Sequence, residues 1–174
     1  SVSVSFKESC EMMKNIKKLA QLVILHSVFW FSVQMSIAQL GTRIPLRFFD
    51  KNAHFFRPFQ WEKGGQIWGD TLQISKWKKL IPEGTKLNSA IYDKSDLTNN
   101  IEETRHLLLE MRRAELVHWL SMVPLIVFIK TPKYIKYINL LYVVFSHVPI
   151  IIVQRYNRPR IERFIRLVEK RGKK

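Results

Sequence analysis

Apolar positions gather in three runs. Leu19 to Leu40 holds 22 residues without an Asp, Glu, Lys or Arg, enough for a helix to cross the roughly 30 Å hydrocarbon core of a bilayer. Ala114 to Ile129 is interrupted only by Glu115, His118 and Ser121, and Tyr137 to Val153 carries no charge. The pattern predicts an all-α membrane protein with about three transmembrane helices, at 19–40, 114–129 and 137–153. An interfacial or cytoplasmic segment, 41–113, and a basic tail, 155–174, complete one membrane-embedded domain over 1–174. The second span is short, about 24 Å at 1.5 Å per residue, although its helical pattern runs back to about Ile101. Two spans plus a re-entrant or interfacial helix is therefore the alternative. A cleaved leader competes for the first run, because Lys14, Lys17 and Lys18 precede it. The run is long for a leader, and no small-x-small cleavage site stands before Gly41, so a retained span is the expectation.

Polar stripes mark these helices. Ser32, Ser36 and Gln39 recur one helical turn apart on the first, while Asn139, Ser146, His147 and Gln154 share about 100° of arc on the third. Polar groups are costly in lipid, so both stripes are expected to face a bundle interior. The plainer reading of Ser32 and Ser36 is close helix packing. In the tail, Ile161, Phe164, Ile165 and Val168 form an apolar stripe flanked by Arg160, Arg163, Arg166, Lys170 and Arg171. This predicts a basic amphipathic helix opened by Pro159 and lying on headgroups. Between the first two spans, Phe48, Phe49, Phe55, Phe56, Phe59, Trp61, Trp68 and Trp77 alternate with basic residues. Such a mixture could stack single-stranded nucleic acid. Beside a span it reads better as a surface for anionic lipid, so no nucleic acid is expected. Gly64-Gly65 predicts a turn, Gln66 to Leu80 a short interfacial helix and Pro82-Glu83-Gly84 a further turn, with Asp96 or Thr98 capping the helix that follows.

Charge adds an orientation. The chain carries 29 Lys and Arg against 14 Asp and Glu. Three spans place 22 basic residues, those of 41–115 and of the tail, on one side against 7 on the other, which makes the richer side cytoplasmic. They also bring three boundaries to one face: Leu40 to Pro45, Arg112 to Trp119, and Gln154 to Arg160. Ionisable and amide groups converging at a membrane boundary are candidates for function.

Glu115 and His118 lie one turn apart on the second helix. A carboxylate beside an imidazole can orient it as a general base, although a boundary ion pair between Glu115 and Arg112 or Arg113 is an equal reading. Ser121 extends the row to a nominal triad, but three residues on one rigid helix rarely meet that geometry. Arg155, Arg158 and Arg160 offer planar donors to a phosphate or developing oxyanion, with Asn157 and Gln154 as amide partners. Headgroup anchoring is the competing role for at least one of these arginines. Arg43 and Arg113 follow as further binding candidates. One cysteine and no HExxH-type spacing argue against disulfides and metal, and no Gly-rich phosphate loop is present. No histidine is followed five positions on by an acidic residue, so the HxxxxD signature of glycerolipid acyltransferases is missing.

The stretches LGTRIP (40–45), WEKGGQIW (61–68), SKWKKLIPEG (75–84), IYDK (91–94), RAELVHW (113–119), YINLLY (137–142) and VPIIIVQRYNRPR (148–160) resemble the glycosyl-4,4'-diaponeurosporenoate acyltransferases. The resemblance covers about Ile16 to Arg171. It implies a bacterial, multi-pass enzyme of the cell membrane performing the last step of staphyloxanthin-type carotenoid synthesis, in which a fatty acyl chain esterifies a sugar hydroxyl of a glycosylated carotenoid acid. The expected partners are membrane lipids, that acceptor, a fatty acyl donor (acyl-CoA or acyl carrier protein) and other enzymes of the pigment pathway. No cofactor is expected. Within that frame His118, oriented by Glu115, is the expected base, and Arg155, Asn157, Arg158, Arg160, Arg113, Arg43 and Gln154 are the expected binding groups. Another membrane glycolipid as acceptor, or a lipid-binding protein without chemistry, remains the alternative.

Overall fold

A computed structural model describes residues 2–77, 80 and 101–172. All regular structure among them is helical. The chain divides into two compact units, Ser1–Ala38 and Gln39–Lys174.

The first unit is the larger part of α1, Val2–Arg43. Leu19, Val23, Ile24, Leu25, Val28 and Phe31 all stand exposed on it. Its serine stripe is satisfied locally: the Ser36 hydroxyl donates to the Ser32 carbonyl at 2.8 Å. Both serines are exposed.

The second unit is built on an antiparallel helical hairpin. α5, Ile101–Met122, opens with Glu102 and Glu103 in its first turn, where carboxylates complement the positive helix end. Pro124 follows the last residues of α5, and the backbone tightens into a 3-10 helix, Val123–Phe128. The predicted span 114–129 is thus an α-helix that gives way to a 3-10 helix. Two described helices are long and apolar enough to cross a membrane, Glu8–Arg43 and Lys133–Gly172.

α6 runs unbroken over 40 residues, Lys133–Gly172, through Pro149 and Pro159. The sequence reading ended a span near Val153 and began a separate helix at Pro159; the two are one helix. The apolar stripe of the tail is also not left for headgroups. Ile161 and Ile165 are buried against Leu108 and Met111 of α5, which takes their apolar surface out of water. Arg163, Arg166, Lys170 and Arg171 keep the outer face exposed.

The segment 44–77 folds over this hairpin. α2, Leu46–Lys51, packs on α5, and the 3-10 turn Gln60–Gly65 with α3, Gln66–Leu72, packs on α6. Gln73, at φ 48°, separates α3 from α4, Ile74–Trp77, where one interfacial helix was expected. The aromatics divide. Phe49 and Phe56 go inward, and Ile74 packs with Val153 and Tyr156 beside Trp68 and Trp77. Phe55, Phe59 and Trp61 stay out. The Gly64-Gly65 turn is present, with φ of 67° and 86°. The turn at Pro82 and the caps at Asp96 or Thr98 lie outside the described residues.

Candidate active site

α6 turns a mixed face toward its neighbours. Asn139, Val143, His147, Ile151, Gln154, Arg158, Ile161 and Ile165 recur at three- and four-residue steps and are all buried. α5 answers with Leu108, Met111, Arg112, Glu115 and Ser121, also buried. The antiparallel pairing runs Arg105 with Glu169, Arg112 with Glu162, Glu115 with Arg158 and Arg155, and His118 with His147.

At its centre is a charge cluster, buried except at Glu162. Glu115 accepts from Arg155 Nη1 at 2.6 Å through one oxygen and from Arg158 Nη1 through the other. Arg155 also forks onto Glu62, with Nε to Oε1 at 2.7 Å and Nη2 to Oε2 at 2.6 Å. Glu62 further accepts from the Phe59 N–H at 2.5 Å and the Trp68 indole at 2.9 Å. Arg158 donates to the Phe56 carbonyl, and Arg112 bridges Glu162 and the Phe49 carbonyl, each at 3.0 Å. Three guanidiniums face three carboxylates, so the cluster is neutral. Aromatic faces lie over the cations, Phe59 at 4.8 Å from Arg155 and Phe56 at 5.8 Å from Arg158. The bidentate Arg155–Glu62 pair and the shared Glu115 carboxylate offset part of the desolvation that a lone buried charge would suffer, while Nε of Arg112 and of Arg158 finds no hydrogen-bond partner among the described residues.

Burial by itself would raise the Glu62 carboxyl. The hydrogen bonds from Arg155, Phe59 and Trp68, with the Arg155 charge, win and hold it below its ordinary 4.5. A carboxyl lowered by folding adds stability that is complete above the ordinary range and is lost as pH falls through the lower folded value. The thermal midpoint is therefore expected to hold between neutral pH and about 5 and to fall in stronger acid. The fall should be shallower in Glu62→Gln, which circular dichroism melts across pH can check.

Beside the cluster, the His118 and His147 rings meet, Nδ1 to Nδ1 at 3.0 Å with centroids 5.3 Å apart. His147 is buried and His118 half-buried. The expected pairing of Glu115 with His118 is redirected: both Glu115 oxygens accept from arginines, and the imidazole of His118 meets a second imidazole. The other candidates scatter. Arg113 is bound by Glu110 at 2.9 Å and by the Ile44 carbonyl at 3.1 Å. Arg160 is exposed and lies 3.6 Å over the Tyr156 ring, and Arg43 is exposed. Gln154 and Asn157 are buried, yet Gln154 Oε1 and both polar atoms of the Asn157 amide find no partner among the described residues. No group of three or more metal-type ligands occurs among the described residues.

The family model described as glycosyl-4,4'-diaponeurosporenoate acyltransferase matches residues 52–167. That stretch contains every member of the charge cluster and both histidines of the pair. The chain belongs to this family of acyltransferases. A glycosyl-4,4'-diaponeurosporenoate acyltransferase of Staphylococcus haemolyticus strain JCSC1435 is 46% identical over 158 residues, covering 90% of this chain and 92% of the relative. One of Staphylococcus aureus strain MRSA252 is 45% identical over 163 residues, 93% of this chain and 99% of its own length. No solved structure matches.

Sequence reasoning passed over Glu62, Glu162 and, as a site residue, His147. The available signal for Glu62 was a lone carboxylate between Trp61 and Lys63 at the mouth of a Gly-Gly turn. For His147 it was its place in the polar stripe of α6.

Proposed function

We propose that this chain transfers a fatty acyl group to a sugar hydroxyl of a membrane-held glycosylated carotenoid acid, as the name of its relatives suggests. The observation that carries this reading is the likeness to those relatives over nine-tenths of the chain. His118 is assigned as the base. His118 Nε2 takes the proton of the sugar hydroxyl as the oxygen attacks the acyl carbonyl carbon. The proton then passes to the leaving thiolate of the donor, so the ring ends as it began. Direct transfer is favoured over an acyl-enzyme, because no activated serine or cysteine nucleophile stands out among the described residues. The donor is an acyl thioester, on coenzyme A or a carrier protein.

Arg155 and Arg158 then serve as the frame that fixes Glu115 and α6, since Glu62 and Glu115 engage Arg155 while Glu115 and the Phe56 carbonyl engage Arg158. The amide of Gln154, two helical turns from His147 on the same face, is assigned to the sugar, and the Asn157 amide to the donor carbonyl. The guanidiniums free to reach a donor phosphate are those of the exposed Arg43 and Arg160, with Arg113 behind them. Membrane placement suits the exposed apolar side chains of α1 and of Ile138, Leu141 and Phe145 on α6. In that arrangement α1 and the apolar half of α6 span the bilayer, and the end of α5 with Val123–Phe128 makes the third pass. Anionic lipid meets the basic outer face of α6, and other enzymes of the pathway can hand over the acceptor within the same membrane.

Purified protein given a glycosylated carotenoid acid and acyl-CoA is expected to yield a product heavier by one acyl group. His118→Ala is expected to lower turnover about 10²–10⁴-fold. Product from other glycolipids but not from the carotenoid would move the acceptor class, and no product from folded protein with either donor would sink the reading.

A further inference from the structure

The unbroken course of α6 changes where its basic face lies. Lys133 to Val153 makes about 31 Å of helix at 1.5 Å per residue, enough to cross the roughly 30 Å hydrocarbon core by itself. A tail lying flat on headgroups needs the helix to break near Val153; instead it continues to Gly172. The part from Gln154 onward therefore stands about 28 Å out of the bilayer, and an ordinary tilt of about 20° removes only about 2 Å of that.

The outer face of this upright part is wholly cationic. Arg160, Arg163, Arg166 and Lys170 recur at three- and four-residue steps with Arg171 beside them, and all are exposed. The two acids of the same stretch, Glu162 and Glu169, turn to Arg112 and Arg105 of α5. Reach divides the face. The headgroup layer adds about 5–8 Å beyond the core, and charge is screened over about 8–10 Å. Arg160 and Arg163, about 8 and 12 Å along the helix from Arg155, are within range of anionic lipid. Arg166, Lys170 and Arg171, about 16–24 Å from Arg155, stand past the headgroups in water.

We propose that this distal basic face, formed by Arg166, Lys170 and Arg171, docks an acidic carrier protein that brings the fatty acyl thioester. Opposite charge speeds such an encounter and fixes its orientation. Shape excludes the small donor from this face, since a coenzyme needs a concave site and a convex helix offers none. A protein surface can lie along it. Docked there, the carrier overhangs the membrane boundary, and its flexible phosphopantetheine arm presents the thioester toward His118. The orientation read from charge puts this face in the cytoplasm. This inference rests on the reading of the chain as an acyltransferase that spans the membrane with α6.

The experiment uses the full chain in nanodiscs of neutral phosphatidylcholine, with purified fatty-acyl carrier protein as the probe. The carrier is expected to bind, and to bind at least about 10-fold more weakly when salt rises from about 0.05 M to about 0.5 M. Arg166→Glu, Lys170→Glu and Arg171→Glu combined are expected to weaken binding at least about 10-fold, while the rate with acyl-CoA stays at the parent's. Lysine at 166 and 171 should keep the affinity. Depth is read separately in a Cys10→Ser background, with a fluorophore at Phe145→Cys or Lys170→Cys. Nitroxide on lipid tails should quench the first, and nitroxide on headgroups should leave the second bright. A carrier that does not bind, or that binds the triple variant equally well, overturns the proposal. So does a label at 170 quenched by headgroups, which would give the face to lipid. A label at 145 untouched by the tail nitroxide overturns the spanning reading of α6 and the proposal with it. Carrier binding that depends on the three residues, without product from either donor, upholds the docking face and sinks only the transfer reading.

Discussion

Glu115→Ala is expected to destabilise the protein by about 3–5 kcal/mol, a large share of the roughly 5–15 kcal/mol that holds a folded domain. The carboxylate is 2% exposed and sits between two guanidiniums, of which Arg158 is 0% exposed. Alanine leaves Arg158 with the Phe56 carbonyl and a distant Glu162 oxygen at 4.0 Å. Arg155 retains Glu62. The loss therefore falls chiefly on Arg158, which has no route to water. Glu115→Gln keeps an acceptor oxygen but removes the charge, and should fall between the two. Denaturant titration in detergent measures the difference. An alanine variant as stable as the parent would show that the cluster is hydrated and that its ion pairs contribute little.

Gly65→Ala is expected to cost roughly 2–4 kcal/mol, from a positive φ and from crowding that cannot relax. Gly65 has φ 86°, and a Cβ there would lie 2.7 Å from the Arg155 carbonyl oxygen and 3.1 Å from that of Tyr156. Both are backbone atoms of α6 and cannot swing aside. The cause lies partly at Pro159. With no N–H, it leaves the Arg155 carbonyl without its ordinary helical donor, and the turn comes close at that place. Gly64 is the control. It also has a positive φ, 67°, but a Cβ there meets only the flexible end of Arg163 at 3.8 Å. Gly64→Ala should therefore lose only the conformational part, about 1 kcal/mol. Equal losses at the two positions would mean that the close approach to α6 is unimportant.

The reach of the sequence can be followed residue by residue. The apolar runs disclosed α1 and the first half of α6, because a long uncharged stretch has few alternatives. The helical pattern back to Ile101 located the start of α5. The meeting of Arg155 and Arg158 with Glu115 was legible as convergence, since a short connection between two helices makes them antiparallel neighbours. What each group pairs with was not. Spacing along α5 places Glu115 beside His118, but the interior of the hairpin offers Glu115 two arginines and a dry site, and charge pairing wins there. Glu62 was invisible for a different reason: its partner Arg155 is 93 residues away, and no local periodicity reports a contact of that span. Pro159 misled because proline usually marks a helix start, whereas here packing on both sides carries the helix through.

The cluster also sets an order of assembly. Glu115 leaves the ribosome 40 residues ahead of Arg155 and 43 ahead of Arg158. Until those arginines emerge, Glu115 has only Arg112 and Arg113 of its own helix as cationic neighbours. The buried arrangement at Glu115 therefore closes only once α6 is made, and a chain ended before Arg158 is expected to leave α5 without the partners that hold it.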